Sequence, residues 1–409
     1  MRSSNRGYMA SVDHLRAFAA VLVVAYHGTQ LLSVGIHRGD IEFKPGQDWL
    51  YSHNPILTVL FEGHTAVALF MVLSGFIFTV GTLGQDVSWP RFMANRLFRI
   101  YPMFVVLLMV GYATQPQAFQ FLSLLQTITG FGNYQGSADL GSVSTMFWAI
   151  GVEMQFYLIF PLLNRILSRL GIGTFLRLFL AIIVIRGLAW GVRYTTAGDP
   201  HMTQMMYLNI TGRIDQFLLG MIAAWLYIHH RTKFAGWWKL GVSVGAVIFA
   251  LWYFNQVHGF MSDSSWRLAW VDVEGLGWAA VVVTYVATSK STGRISTLFA
   301  KLGERSYSMY LIHFMVIWIL LSCGAWITIP GLPPAYDAMI TTALYVLPVV
   351  IGISMLTYSG VEVPFLKMRI KYLRPAPTAA IPGHQHPEAG KQTSAEPIAV
   401  GVGEGKGAE

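Results

Sequence analysis

Charge and cysteine are what this 409-residue chain has least of. Asp, Glu, Lys and Arg make up 12% of it, about half the roughly 25% of an ordinary soluble protein, so no water-facing surface of normal proportions can be built from it. The single cysteine, Cys323, excludes an intrachain disulfide and a cysteine-rich metal site and leaves the redox compartment open. Glycine-rich phosphate loops, paired metal-ligating histidines and a Gly-x-Ser-x-Gly elbow are all missing from any convincing context. Gly63-His64 and His229-His230 are too isolated to act as ligands, so no metal is expected. No internal repeat is visible, which weighs against a transporter built from inverted halves.

What the chain has instead is apolar length. Hydrophobic residues make up 54% of it and the mean hydropathy is +0.50. Ten spans can be drawn, at roughly 12–33, 56–80, 100–114, 143–163, 173–194, 213–230, 237–255, 267–288, 306–328 and 337–358. The fold expected is therefore an all-α integral membrane protein, a polytopic bundle of about ten transmembrane helices. The net charge of +8 lies in short basic clusters between spans, which fits the positive-inside rule and not a nucleic-acid surface. Segments 115–142 and 329–336 contain no Lys or Arg. That alternation places both termini in the cytoplasm. Arg2 and Arg6 resemble a signal n-region, but no small-residue cleavage site follows, so the first span is expected to be a retained helix. Residues 1–374 are expected to form the transmembrane domain and 375–409, rich in Pro, Ala, Gly, Gln and Glu, a disordered cytoplasmic tail.

Polar residues inside the spans are the candidates for function. In the first span Arg16 and His27 fall on one helix face, roughly 16 Å apart. Such groups are costly in hydrocarbon and should face an interior or a cavity, although a snorkelling arginine and a core histidine would look the same. Glu153 in the fourth span is either a buried partner of an arginine or a participant in proton chemistry. Arg213 and Asp215 point different ways on a helix, so each should meet a partner elsewhere. Ser306, Tyr310 and His313 follow spacings of four and three and share one face, lining an interior or binding helices together. Arg96 and Arg99 stand three residues apart at the cytoplasmic end of the third span, where a guanidinium fork suits phosphate and where positive-inside charge is also expected.

Taken in order, these stretches resemble acyltransferase family 3, membrane O-acyltransferases whose bacterial members acetylate surface polysaccharides. The resemblance runs from Arg16 and His27 through Phe70-Met71-Val72-Leu73-Ser74-Gly75-Phe76 and Arg96-Leu97-Phe98-Arg99-Ile100-Tyr101-Pro102. It continues with Trp148, Glu153, Phe156, Tyr157 and Pro161, then Arg213-Ile214-Asp215, Gly303 to His313, and Tyr358 with Glu362 and Pro364. Met71 departs from the more usual Phe, and His64 stands where the pattern needs no histidine.

The resemblance implies acetyl-CoA as acyl donor, a carbohydrate hydroxyl as acceptor, and a multi-pass protein of the cell (inner) membrane with no nucleic-acid partner. The acceptor would be a surface polysaccharide such as lipopolysaccharide O-antigen or an exopolysaccharide. His27, Arg16 and Glu153 would be catalytic, His27 as general base with Glu153 orienting it or a cationic partner. Arg96 and Arg99 would hold the donor, and Tyr26, Trp148, Tyr157, Arg213, Asp215, Ser306, Tyr310 and His313 would line the substrate cavity. The competing reading of the same buried groups is a proton-coupled transporter or flippase.

Overall fold

The computed structural model of this chain describes residues 8–39, 42–197, 207–262 and 264–374. Arg2, Arg6 and the expected tail at 375–409 lie outside the described residues. The first helix, α1 (Ala10–Arg38), is continuous through both Arg16 and His27 and closes on Gly39, whose φ of 66° and N–H bond to the Gly35 carbonyl stop it. It runs through the interior and touches α2 (Pro55–Phe61), α3 (Thr65–Thr82), α8 (Arg267–Thr288), α9 (Arg294–Glu304), α10 (Ser306–Cys323) and α11 (Pro334–Leu366). The remaining long helices are α4 (Trp89–Thr114), α5 (Phe147–Ala197), α6 (Ile214–Phe234) and α7 (Trp237–Gln256).

Among the described residues, eight helical segments are long and apolar enough to cross a membrane, which makes the protein an all-α, multi-pass membrane protein. One of them, Gly141–Thr196, is 56 residues long and accounts for two of the ten expected spans. It breaks at Gly171, where φ is 76° and ψ is 175°, a conformation that only glycine adopts without penalty. Just before the break, Ser168 accepts a bond from the Gly84 N–H; beyond it, Arg186 reaches Asp215 in α6. The remaining expected span, the sixth at 213–230, corresponds to α6, where Asp215, His229, His230, Arg231 and Lys233 interrupt the apolar run.

Three boundaries differ from the sequence expectation. The span expected at 56–80 is two helices, because the chain turns at Glu62-Gly63-His64 between α2 and α3. A Cβ on Gly63 would lie 2.4 Å from the Tyr26 Cβ, so this turn packs directly on α1. The third span starts at Trp89 and not near 100, since Arg96 and Arg99 are accommodated inside the helix by rings and a carboxylate. The last span extends to Leu366 through two π-helical turns, Thr342–Val346 and Tyr358–Glu362. A two-residue antiparallel ladder, Asp86 with Arg374 and Val87 with Leu373, ties the end of the described chain to the turn before α4.

The helix crossing between α3 and α6 is close. A Cβ at Gly75 would sit 2.0 Å from the Phe217 carbonyl oxygen, and one at Gly220 would sit 2.1 Å from that of Val72. The opposing atoms are backbone and cannot rotate away, so this approach depends on small residues. Gly75→Ala or Gly220→Ala is expected to destabilise the bundle by about 1–3 kcal/mol, read as a lower unfolding temperature in detergent. Gly245→Ala in α7, where a Cβ meets nothing within 4 Å, is expected to be neutral or slightly stabilising. Equal effects at the three positions would refute the crossing.

Candidate active site

A cavity of about 180 Å³ lies where α1, α3, α4, α5, α10 and α11 converge. Its wall includes Arg16, Arg96, Arg99, Glu153, Tyr157, Ser306 and Tyr310 from the set expected on sequence. Four arginines, Arg16, Arg96, Arg99 and Arg369, face three carboxylates, Asp13, Glu153 and Glu304. The geometry of each group follows from a neighbour. Arg16 is held by Asp13 one turn earlier, Nη1 to Oδ1 at 3.1 Å. Gly303 lets α9 press against that turn, for a Cβ there would fall 1.9 Å from the Asp13 carbonyl oxygen. Arg99 donates to Glu362 at 2.8 Å and to the Glu304 carbonyl at 3.2 Å. Glu362 is fully buried and also accepts from Ser308.

Arg96 is placed differently. Its guanidinium lies over the rings of Phe78, Phe92 and Tyr157, 4.7, 5.2 and 5.9 Å from their centroids. Its Nε is buried and has no hydrogen-bond partner among the described residues. Glu153 accepts from Ser74 Oγ at 3.1 Å and from the Tyr157 hydroxyl one turn further on. The structure therefore bonds Glu153 to two hydroxyls and not to His27.

His27 lies outside this wall. Its Nδ1 is 3.0 Å from His313 Nε2, and the two rings stack with centroids 5.1 Å apart. Tyr310 separates the pair from the cavity: it lines the cavity, its ring centroid is 5.9 Å from that of His313, and its buried hydroxyl has no partner among the described residues. On the other side, Tyr26 packs against His27 and, at 6.0 Å, against the ring of His64.

Trp148, Arg213 and Asp215 belong to a second polar cluster. Arg213 is fully buried, stacks 3.6 Å above the Tyr207 ring and donates to the Tyr207 carbonyl and to Gln216. Its Nη1 is 3.6 Å from Glu274, and Trp148 lies on its other side at 5.7 Å. Asp215 and Asp272 both pair with Arg186. Each residue of Arg213-Ile214-Asp215 that carries charge thus finds a different partner, in keeping with their divergent directions on a helix.

Beside this cluster stands a triad that sequence reasoning passed over. Glu62 is 1% exposed and accepts from Trp49 Nε1 at 3.1 Å and from Asn255 Nδ2 at 2.6 Å. Its other oxygen is 2.9 Å from His64 Nε2, and His64 Nδ1 is 2.9 Å from the Tyr207 hydroxyl. With the His64 proton on Nε2, toward the Glu62 carboxylate, Nδ1 accepts a hydrogen bond from the Tyr207 hydroxyl. Burial pushes the Tyr207 hydroxyl up to about 12, which keeps that donor protonated. The only local signal for this site was a carboxylate and an imidazole two residues apart; the partners at 49, 207 and 255 are far away in sequence.

The chain matches the family described as an acyltransferase domain over residues 9–358. It is 26% identical over 408 residues to a putative O-acetyltransferase of Staphylococcus aureus (strain MSSA476), covering 91% of this chain and 59% of that protein. It is 25% identical over 340 residues to the acyltransferase MdmB of Streptomyces mycarofaciens, covering 76% of this chain and 79% of that protein. With the O-acetyltransferase OatA of Staphylococcus aureus (strain NCTC 8325 / PS 47) it shares 23% over 408 residues, covering 89% of this chain and 58% of that protein. The chain spans less than two thirds of the length of these staphylococcal relatives. No solved structure matches it. With the match running through α1 and both polar clusters, the chain belongs to acyltransferase family 3, the family its motifs resemble.

Proposed function

We propose that this chain is a membrane O-acyltransferase that moves an acetyl group from acetyl-CoA to a hydroxyl of a carbohydrate, a cell-surface polysaccharide such as an O-antigen or an exopolysaccharide. The arginine-lined cavity carries the reading. A polyanionic donor needs cationic N–H groups that the protein has not already satisfied, and buried Arg96 Nε is such a group, aimed from a guanidinium fixed on three rings. Arg96 and Arg99 would hold the phosphates, and acetyl-CoA, when bound, supplies an acyl group activated as a thioester. The printed names of the relatives, O-acetyltransferases and an acyltransferase, support acyl transfer to oxygen. The basic loop clusters support a donor side and both termini in the cytoplasm, as in a protein of the inner membrane.

The chain's own residues divide the work. Arg16, positioned by Asp13, offers positive charge where negative charge develops on the acyl oxygen. His27 takes the proton of the attacking hydroxyl at Nε2, which requires its Nδ1 proton to be donated to His313 Nε2 across the 3.0 Å contact. His313 is then a positioning residue that fixes the tautomer. Glu153, bonded by Ser74 and Tyr157, sets the charge of the cavity wall. The transporter reading of the same groups needs no acyl donor, so acyl-CoA dependence separates the two.

His27→Ala is expected to lower acetylation by at least about a hundredfold while the protein still inserts, checked by mass spectrometry of surface glycans from cells carrying wild type, variant or neither. Retained activity would remove His27 as the base. Arg96→Ala is expected to raise the KM for acetyl-CoA about tenfold or more, the loss of one charged hydrogen bond. An unchanged donor dependence would remove Arg96 from the donor site.

A further inference from the structure

A second, smaller pocket lies at the end of the molecule that carries the Glu62–His64–Tyr207 triad. It is lined by His64, Tyr207, Phe254, Phe260, Arg267 and Trp270, among others. Its volume of about 20 Å³ admits one water-sized group. Trp270 is 8% exposed, and its indole N–H has no hydrogen-bond partner among the described residues. A buried donor without a partner costs about 1–3 kcal/mol, and here it belongs to a residue that lines an open pocket. Three of the other walls are braced by neighbours. Phe254 stacks on Trp270 with centroids 4.1 Å apart, Tyr207 is clamped by Arg213, and His64 is held by Glu62.

We propose that this pocket is the acceptor subsite, taking one hydroxyl of a neutral sugar ring between Trp270, Tyr207 and His64. This inference rests on the reading of the chain as a carbohydrate O-acyltransferase. The polar groups fit a hydroxyl, which both donates and accepts: the Trp270 N–H only donates, while the Tyr207 oxygen still has acceptor capacity while donating its hydrogen bond to His64. The aromatic walls fit the C–H faces of a saturated ring. Arg186, on the pocket wall, is already paired with Asp215 and Asp272, and Arg267 donates to the Ser262 carbonyl. The location fits as well. From this pocket the rings of His64, Tyr26, His27, His313 and Tyr310 follow one another to the arginine cavity, with neighbouring centroids 4.6–6.0 Å apart. Acceptor and donor would therefore approach His27 from different sides.

The test uses the full-length protein in lipid nanodiscs, with acetyl-CoA and the surface polysaccharide extracted from the cells that produce it. Trp270→Phe removes an N–H that no atom of the described residues uses, so folding should tolerate it, and Tyr207→Phe is the second variant. Each is expected to raise the KM for the polysaccharide about tenfold, leave the KM for acetyl-CoA unchanged and change kcat less than about threefold. An unchanged acceptor KM in both variants overturns the subsite and leaves the acyltransferase reading standing. A parallel rise in both KM values marks a structural role and also overturns it. A wild type that acetylates no glycan overturns the underlying reading and this inference with it.

Discussion

The ion pair between Arg99 and Glu362 holds the arginine cavity in shape. Glu362 is fully buried and would be intolerable in an apolar bundle without a cation, and removing one partner of such a pair costs about 3–5 kcal/mol. The pair joins α4 to the π-helical turn of α11, and the same two residues recruit Ser308 of α10 and the last carbonyl of α9. Four helices therefore meet at one neutralised charge. Gly303, at the end of α9, then brings Asp13 and Arg16 of α1 to the same wall. The cavity is a consequence of satisfying a buried carboxylate.

The second polar cluster obeys the same constraint at the other end of the series of rings, with a different result. There the arginines are neutralised by carboxylates, Arg186 by two and Arg213 by one, and the groups left unsatisfied include a tryptophan N–H. At the cavity end an arginine nitrogen is left unsatisfied. Arg213 Nη2 is likewise without a partner among the described residues, so what sets the second end apart is a neutral donor beside aromatic walls. Between the two ends stand His27 and His313, stacked rings of a residue type that can exchange a proton without holding a permanent charge.

Much of this was legible in the sequence where the signal is local. Arg16 and His27 share one continuous helix, as their spacing required, and the stripe of Ser306, Tyr310 and His313 runs from the cavity wall to the imidazole pair. The apolar spans were readable because length and composition suffice. Partners distant in sequence were not readable. His27 and His313 are separated by 286 positions, and Glu62 is satisfied by residues at 49 and 255. His64 looked isolated for that reason. The start of α4 was misplaced because its arginines resemble loop charge until Phe78, Phe92 and Glu362 are seen around them.

The errors in span boundaries and the location of polar chemistry have one cause. A straight apolar helix satisfies its own backbone and has no reason to gather polar side chains, whereas a break re-aims residues and exposes backbone groups that need partners. In this chain the irregular turns coincide with the polar groups. The turn at Glu62-Gly63-His64 carries the triad, the 3-10 turn Ile210–Gly212 delivers Arg213, and the π turn Tyr358–Glu362 ends on the carboxylate that holds Arg99. The other π turn of α11, Thr342–Val346, lies where Thr342 crowds Gly28, the residue after His27. Hydropathy averages such turns into smooth spans, so the features that misplace a predicted boundary are the ones that build the sites.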